Sequence, residues 1–287
     1  MAYPTITQEL VVAHADALPA FPKTVQRILE TVDDPDSSMA VLADVVGRDP
    51  AITGRVLALA NMAASLSQRR DKVEDIYAAT SLVGMQQVRD IALVCSLSAF
   101  VQEMKDECGK GEIWRHSVGV GVCAQELVLH THPQVSSSHA LIAGLLHDIG
   151  QFWLLSFLSD TYPGFWKEAL NSGVEITQLE ESAFGANHAQ IGEWLTRAWL
   201  LPQEISEAIR WHHRPEGIAA MTPLIALVHV AEVLSNALEL GGGESSRVNY
   251  LSPRASDALG ITWRDGAHTL FGRIEARSRY MNDFFHA

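Results

Sequence analysis

The sequence predicts an all-α protein, because its apolar residues recur at the three- and four-residue spacing that places them on one face of a helix. Strand-like alternation of apolar and polar residues is scarce, and Gly or Pro interrupts the pattern at intervals typical of short helices. With 287 residues, of which 47% are hydrophobic and 19% charged, the chain is long and apolar enough to bury a sizeable core.

Capping residues predict where several helices begin and end. Ser38 is a suitable N-cap for a helix that ends near Gly47, and Asp49 is one for a helix that starts at Pro50. Proline suits a first helical position because the amide it lacks would have no partner there. We expect this second helix to end near Asn61. The apolar spacing predicts further helices at 22–32, 74–83, 86–104, 112–131, 136–149, 151–158, 160–172, 175–184, 188–200, 203–213, 222–240 and 263–285.

Two glycine-bearing segments divide the predicted helices. The first, at 107–112, has the composition of a hinge, and the second, at 241–246, that of a flexible linker. We therefore predict an N-terminal helical part at 1–108, a histidine-bearing helical part at 109–240 and a C-terminal helical extension at 241–287.

Charge and cysteine content limit the partners and the compartment. The net charge of −13 argues against nucleic-acid binding and against a polybasic membrane patch, because such a protein repels phosphate. The N-terminus lacks the features of a signal peptide, and the longest apolar stretches are too interrupted to span a bilayer. The 3 cysteines include no Cys-x-x-Cys pair, so we expect a reducing, cytoplasmic location.

The most informative segment is 141–155, where His147 and Asp148 interrupt an otherwise apolar run. Two polar residues in a stretch this apolar need partners, because burying them unpaired costs several kcal/mol. A metal ion would satisfy both side chains. A hydrogen bond between the histidine and the aspartate inside a helical core is the alternative explanation.

Further candidate ligands occur on other predicted helices, beside small residues or within apolar runs. Helical bundles build metal sites from imidazoles and carboxylates that converge from several helices. His116 precedes the small residues Gly119 and Gly121, and His188 precedes Gly192, so neighbouring helices can approach closely at both places. The remaining candidates are His212 and His213 at a helix end and Glu232 in an apolar helix. His213 could instead face solvent at its helix end, where a protonated imidazole is favourable.

The order of these residues resembles the HD superfamily of metal-dependent phosphohydrolases. In the N-terminal half, the segments Leu18–Pro22, Arg48–Ala51 with Leu57–Asn61, and Ala79–Gly84 followed by Arg89 resemble the HDOD domain, an HD-related output domain of bacterial signalling proteins. The likeness covers roughly residues 15–240. It implies an HD-domain-like helical bundle preceded by an N-terminal HDOD helical bundle.

The resemblance also implies a set of site residues. The metal ligands would be His116, His147, Asp148, His188, His212, His213 and Glu232, and they would hold one or two divalent ions of iron, manganese, zinc or nickel. His147 and Asp148 would be the catalytic residues of a phosphohydrolase, with Asp148 both a ligand and a proton acceptor. Arg115, Arg210 and Arg214 each adjoin a candidate ligand and could clamp a phosphate, although solvated helix ends explain them equally well.

The departures from the phosphodiesterase branch, HD-GYP, favour signalling over catalysis. Gln151 stands where that branch has a lysine, the Gly-Tyr-Pro motif is absent after His213, and Glu232 replaces an aspartate. Our first hypothesis is therefore a signalling output module that acts through separate protein partners or through self-association into a homo-oligomer. It would retain a metal or a phosphorylated nucleotide as ligand. The alternative is an active phosphohydrolase or phosphodiesterase that acts on a nucleotide or a cyclic dinucleotide.

The other histidines have simpler explanations. His229 lies one helical turn before Glu232 and could replace that ligand or orient it. Six more lie in polar or terminal contexts, and we expect them at the surface: His14, His130, His132, His139, His268 and His286.

Overall fold

The computed structural model describes residues 3–34, 36–66, 72–104, 110–132, 134–241, 250–261 and 267–286. Within these ranges every regular element is a helix, which confirms the all-α prediction. The α-helices are α1 (Gln8–Ala13), α2 (Lys23–Asp33), α3 (Met39–Gly47), α4 (Pro50–Leu66), α5 (Ile76–Val83), α6 (Met85–Glu103), α7 (Lys110–Val128), α8 (Ser137–Leu146), α9 (Ile149–Phe157), α10 (Tyr162–Ser172), α11 (Ile176–Phe184), α12 (His188–Ala198), α13 (Gln203–Trp211), α14 (Pro223–Ala237), α15 (Pro253–Leu259) and α16 (Ala267–His286). Short 3₁₀ turns occur at Ala15–Ala17 and Pro215–Gly217.

The chain forms two compact units, and the smaller is Phe21–Val101. Its predicted caps are present: Ser38 accepts from the Val41 amide at 3.4 Å, and Asp49 accepts from the Ile52 amide at 3.1 Å. Helix α4 continues past the predicted end at Asn61. The Asn61 side chain does not cap the helix but binds the backbone amide and carbonyl of Val73, each at 2.8 Å.

The larger unit joins Met1–Ala20 to Gln102–Ala287, a division that differs from the one predicted at residue 108. The first twenty residues belong with the second half because they bond to it. The Ile6 amide donates to the Phe184 carbonyl at 2.7 Å, and the Trp153 indole donates to the His14 carbonyl at 3.0 Å. Residues 107–109 of the predicted hinge and 242–246 of the predicted linker lie outside the described part of the chain.

Helices α7, α8 and α14 form the centre of the larger unit. A Cβ atom on Gly144 of α8 would lie 2.6 Å from Gly121 Cα of α7, so only glycine permits this approach. The run Ser137–Phe157 is long and apolar enough to cross a membrane, but 89% of its most apolar stretch is buried inside the protein. This run is therefore the core of the unit.

The C-terminal extension is part of the larger unit. Helix α16 buries Leu270, Ile274 and Met281. Its Arg273 and Arg277 donate to the buried Glu126 carboxylate of α7, from Nε at 3.0 Å and Nη1 at 2.6 Å respectively. This helix is therefore amphipathic and packs on α7.

Candidate metal centre

The junction between α8 and α9 places two polar side chains in the core of the larger unit. His147 follows the last residue of α8 and is fully buried, and Asp148 precedes α9 with 6% of its surface exposed. Although Asp148 occupies the N-cap position, its carboxylate forms no capping bond. The His147 Nδ1–H donates to the Gly144 carbonyl at 2.7 Å, so Nε2 carries the lone pair.

Two glycines let helix α12 approach this junction. A Cβ atom on Gly150 would lie 2.0 Å from the His188 carbonyl oxygen. A Cβ atom on Gly192 would lie 3.3 Å from Ile149 Cγ2 of α9 and 2.8 Å from Ile209 Cγ2 of α13, in agreement with the close approach predicted for this glycine. A side chain at either position would force the packed neighbours apart.

His188, the first residue of α12, is held by a buried carboxylate that sequence reasoning missed. Glu180 of α11 accepts from the His188 amide at 2.8 Å and from its Nδ1–H at 2.7 Å. Its other oxygen accepts from the Tyr162 hydroxyl. These bonds fix the His188 tautomer and direct Nε2 toward Asp148, as carboxylates do behind metal-bound histidines.

Helix α13 ends on the two adjacent histidines. The His212 Nδ1–H donates to the Ile209 carbonyl at 2.6 Å, which leaves Nε2 facing Asp148 Oδ1 at 3.9 Å. His213 Nε2 lies 3.0 Å from His188 Nε2, and 20% of the His213 side chain is exposed. His213 therefore faces the cluster as well as solvent.

His116 and Glu232 approach from α7 and α14. The His116 ring centroid lies 5.1 Å from that of His147. The Glu232 side chain is 13% exposed, and its Oε1 lies 3.7 Å from His213 Nδ1.

The structure thus brings all seven predicted ligands together, in two groups. One group contains Asp148, His188, His212 and His213, and the other His116, His147 and Glu232; within each, the candidate ligand atoms lie within 4.8 Å of one another. Asp148 lies between the groups, with Oδ1 at 3.2 Å from His188 Nε2 and Oδ2 at 3.2 Å from His147 Nε2. We call them the Asp148 group and the Glu232 group.

Three buried atoms at the centre of these groups indicate that metal ions fit here. His147 Nε2, His212 Nε2 and Asp148 Oδ1 have no partner with hydrogen-bonding geometry within the described part of the chain. Leaving such atoms buried and unsatisfied is costly. Imidazole nitrogens with fixed tautomers and carboxylate oxygens are the donors that iron, manganese, zinc and nickel accept.

The pKa values of the ligands reflect burial and crowding. Burial, reinforced by Asp148, raises the pKa of Glu232 to about 7, and burial, together with the neighbouring His147, lowers that of His116 to about 4. Burial alone would raise the pKa of Asp148, but the His147 and His188 imidazoles lower it well below its ordinary value. A divalent cation would favour the ionised carboxylates and neutral imidazoles that ligation requires.

The three arginines predicted to bind phosphate each contact a group of the protein itself. Arg115 Nε donates to the Gly241 carbonyl at 3.4 Å. Arg210 Nε lies 3.5 Å from Glu193 Oε2, and Arg214 Nη2 lies 3.6 Å from Glu175 Oε2. Their role as substrate ligands stays a prediction.

Two of the remaining histidines differ from expectation. His139 is buried and pairs with Glu204, so the prediction of a surface position is wrong. His229 neither replaces nor orients Glu232. Its Nδ1–H donates to the His212 carbonyl at 2.6 Å, and its Nε2 accepts from the Ser252 amide at 3.0 Å.

The sequence does carry a signal for Glu180. Thr177, Glu180 and Phe184 form one buried face of α11 at helical spacing, so a carboxylate stands among residues that pack inward. A buried carboxylate needs hydrogen-bond donors or a cation, and that requirement marks a candidate partner of the site.

The family comparison agrees with the resemblance noted in the sequence. The family model described as the HDOD domain matches residues 18–215. An uncharacterized protein of Treponema pallidum is 24% identical over 239 residues, which cover 82% of this chain and 46% of that protein. The chain therefore spans about half the length of this curated relative.

Solved structures share the fold. An HDOD domain protein of unknown function from Geobacter sulfurreducens superposes with a TM-score of 0.71 at 22% identity, covering 96% of this chain and 93% of its own. A protein from Shewanella amazonensis gives a TM-score of 0.70 at 19% identity, over 96% of this chain and 97% of that one. Its name proposes that it is a phosphohydrolase. A proposed signal transduction protein from Marinobacter aquaeolei gives a TM-score of 0.71 at 21% identity, over 99% of this chain and 63% of that one. At these identities the likeness establishes the fold alone.

Proposed function

This chain belongs to the HDOD domain family, and we propose that it is a signalling output protein whose larger unit binds divalent metal ions. The convergence of seven ligand side chains into two groups of atoms carries this proposal. A core that needed only stability would not gather buried imidazoles with unsatisfied nitrogens, because apolar residues fill such space at lower cost.

The residues have distinct parts in metal binding. Asp148 would help both groups to hold ions of iron, manganese, zinc or nickel, because its Oδ1 lies near His188 and its Oδ2 near His147. His188, His212 and His213 would complete one site, and His116, His147 and Glu232 the other. Hydrogen bonds from Nδ1 of His147, His188 and His212 hold each ring with Nε2 inward.

The output is proposed to pass through protein contacts in the cytoplasm, either with signalling proteins in trans or between copies of this chain. The family is an output domain of bacterial signalling proteins, and the net charge of −13 disfavours nucleic acid as the target. The free cysteines Cys95 and Cys123 are buried and unpaired with each other, which suits a reducing compartment. In this role the metal centre senses a signal or stabilises the fold, and it need not turn over a substrate.

Hydrolysis of a phosphate ester is the second candidate function, and the partial exposure of His213 and Glu232 favours it. A substrate could reach the ligands from that side. Bound metal ions would lower the pKa of a coordinated water and neutralise phosphoryl oxygens. Asp148 would accept a proton from the attacking water as the water oxygen bonds to phosphorus, and it would return that proton to the ester oxygen, which departs as an alcohol. Two structural relatives carry names that propose phosphohydrolase activity.

Among the described residues, two of the three candidate phosphate-binding arginines are paired with carboxylates. Arg210 and Arg214 lie beside glutamates. The buried Gln151, one helical turn after Asp148, is uncharged, whereas the lysine of the phosphodiesterase branch would supply a positive charge at this position. Signalling through a bound metal or nucleotide therefore stays our first proposal.

Metal analysis tests the proposal directly. Protein purified without chelators should contain iron, manganese, zinc or nickel, measured by plasma mass spectrometry, and His147→Ala should lose most of it. The exposed His130 provides a matched control, because His130→Ala removes an imidazole that belongs to neither ligand group and should keep the metal. Metal-free wild-type protein that also fails to bind any of these ions in titration would overturn the proposal.

Hydrolysis assays separate the two candidates. The metal-loaded protein should be incubated with a cyclic dinucleotide and with a nucleoside monophosphate. Release of product by wild type and His130→Ala, but not by His147→Ala, would establish the phosphohydrolase. Full metal occupancy without turnover supports the output module.

A further inference from the structure

The C-terminal extension contacts the backbone of the loop that carries two ligands, through a segment beyond the family match at residues 18–215. We infer that Tyr250–Gly260, which contains α15, is a positioning element that fixes the His212–His213 pair for metal binding. The inference rests on the proposed metal centre and assigns part of its construction to the C-terminal extension.

The first contact fixes the peptide that joins the two ligands. His229 donates from Nδ1 to the His212 carbonyl, the oxygen of the peptide between His212 and His213, at 2.6 Å. The Ser252 amide donates to His229 Nε2 at 3.0 Å, which requires the proton on Nδ1. His229 and Ser252 are both buried, so water does not compete for these bonds. Rotation of this peptide would move both imidazoles.

The second contact holds the turn that follows the ligands. Glu216 lies in the 3₁₀ turn Pro215–Gly217, and its Oε1 accepts from the Tyr250 hydroxyl at 3.0 Å and from the Ser252 hydroxyl. The Ser252 oxygen also caps α15 by accepting from the Ala255 amide at 3.0 Å. One serine therefore begins the helix and binds the turn.

The third contact extends this hold along the chain. Arg254 donates from Nη1 to the Ile218 carbonyl at 3.2 Å and from Nη2 to the Ala219 carbonyl at 2.7 Å. A guanidinium that binds two successive carbonyls restrains the backbone through main-chain contacts alone. The segment thus reaches the His212 carbonyl through His229, and it binds Glu216 and the carbonyls of residues 218 and 219 directly.

Helix α15 is itself anchored, so it can act as a rigid support. Ala255 and Leu259 are fully buried, and the Leu259 carbonyl accepts from the His132 amide at 3.0 Å. Gly260 ends the helix at φ 62°, and a Cβ atom there would lie 2.2 Å from His132 Cδ2. Support at both ends distinguishes α15 from a loose tail.

The same extension provides a control in α16. Arg273 and Arg277 bind Glu126 on α7, which is not one of the seven candidate ligands. Their removal should weaken the packing of the extension and leave the ligand loop unchanged.

The test compares the double variants Tyr250→Phe/Arg254→Ala and Arg273→Ala/Arg277→Ala in the full-length, metal-free protein. Hydrogen exchange measured by mass spectrometry should rise at residues 210–219 only in the first variant. The Arg214 and Gly217 amides report on this segment, since they donate to the carbonyls of Trp211 and Arg214 within it. Equal exchange in the two variants at these residues would overturn the inference, whether or not the protein binds metal.

Titration with zinc ions supplies the second readout. Wild type and the Arg273→Ala/Arg277→Ala variant should bind equally, and Tyr250→Phe/Arg254→Ala should lose about tenfold or more in affinity, the usual cost of disturbing partners behind metal ligands. His229→Ala should also weaken binding, and His229→Asn, which keeps a donor near Nδ1, should recover part of it. Failure of the wild type to bind any metal would count against the proposed function alone. The hydrogen-exchange comparison would still decide whether Tyr250–Gly260 positions the ligand loop.

Discussion

The two ligand groups differ in how firmly the protein holds them. In the Asp148 group, the ring of His188 is bonded to Glu180, and the ring of His212 to its own helix, with its carbonyl bonded to His229. In the Glu232 group only His147 has such a bond, and no hydrogen bond to the His116 ring or the Glu232 carboxylate occurs among the described residues. Pre-organised ligands lose less conformational freedom on binding, so the Asp148 group should bind its ion more tightly.

The largest expected effect comes from the residue that the groups share. Asp148→Ala removes a carboxylate from both sites, and we expect metal affinity to fall at least about 100-fold for each ion, more than the usual loss for a supporting residue. Isothermal titration with zinc measures both steps. Loss of only one step would show that Asp148 serves a single ion and that the groups are independent.

The next prediction affects the Asp148 group alone. Glu180→Gln places an amide where the His188 amide and Nδ1–H need an acceptor, so the tautomer of that ring is no longer fixed. We expect a 10- to 100-fold weaker first binding step. Tyr162→Phe removes one bond to the same carboxylate without touching the ligand, and it should have the smaller effect. Equal losses in both steps would show that Glu180 supports the whole core.

A third prediction concerns the Glu232 group in the metal-free protein. Burial raises the pKa of Glu232 from 4.5 to about 7, so the folded state keeps its proton in a range where the unfolded chain loses it. The contribution of Glu232 to the unfolding free energy should therefore fall as pH rises from about 4.5 to 7, by about 1 to 3 kcal/mol, and the loss should persist above pH 7. Urea unfolding of wild type and Glu232→Gln measures the difference. An identical pH dependence in the variant would contradict this assignment.

The sequence was most informative where chemistry and local spacing coincide. His147 and Asp148 could be identified because polar residues interrupt an apolar run, and Gly192 because a small residue faces a packed helix. The seven ligands belong to separate segments, and only a family resemblance could join them, since periodicity does not say which helices meet.

The misses have a common physical cause. The sequence suggested no helix at α1 or α15, although Ser252, Pro253 and Gly260 give a suitable cap, first position and end. A short helix has too few turns for its apolar spacing to stand out. The contacts of Glu180 and His229 depend on tertiary approach, which places a carboxylate or a carbonyl beside a residue distant in the chain.

The smallest stability effect is expected at the exposed edge of the site. Arg214 is 48% exposed and lies 3.6 Å from Glu175, so its removal should change the unfolding free energy by less than about 1 kcal/mol. Its position next to His213 nevertheless makes it a sensitive test of catalysis. If the protein hydrolyses phosphate esters, Arg214→Ala should lower kcat/KM about tenfold or more, because a guanidinium forms bidentate hydrogen bonds to phosphate. The metal content should stay unchanged. Arg197→Ala is the matched control, since Arg197 pairs with Glu193 on the exposed face of α12. If turnover is unaffected in Arg214→Ala, Arg214 does not bind the phosphate, and its predicted part in the clamp is wrong.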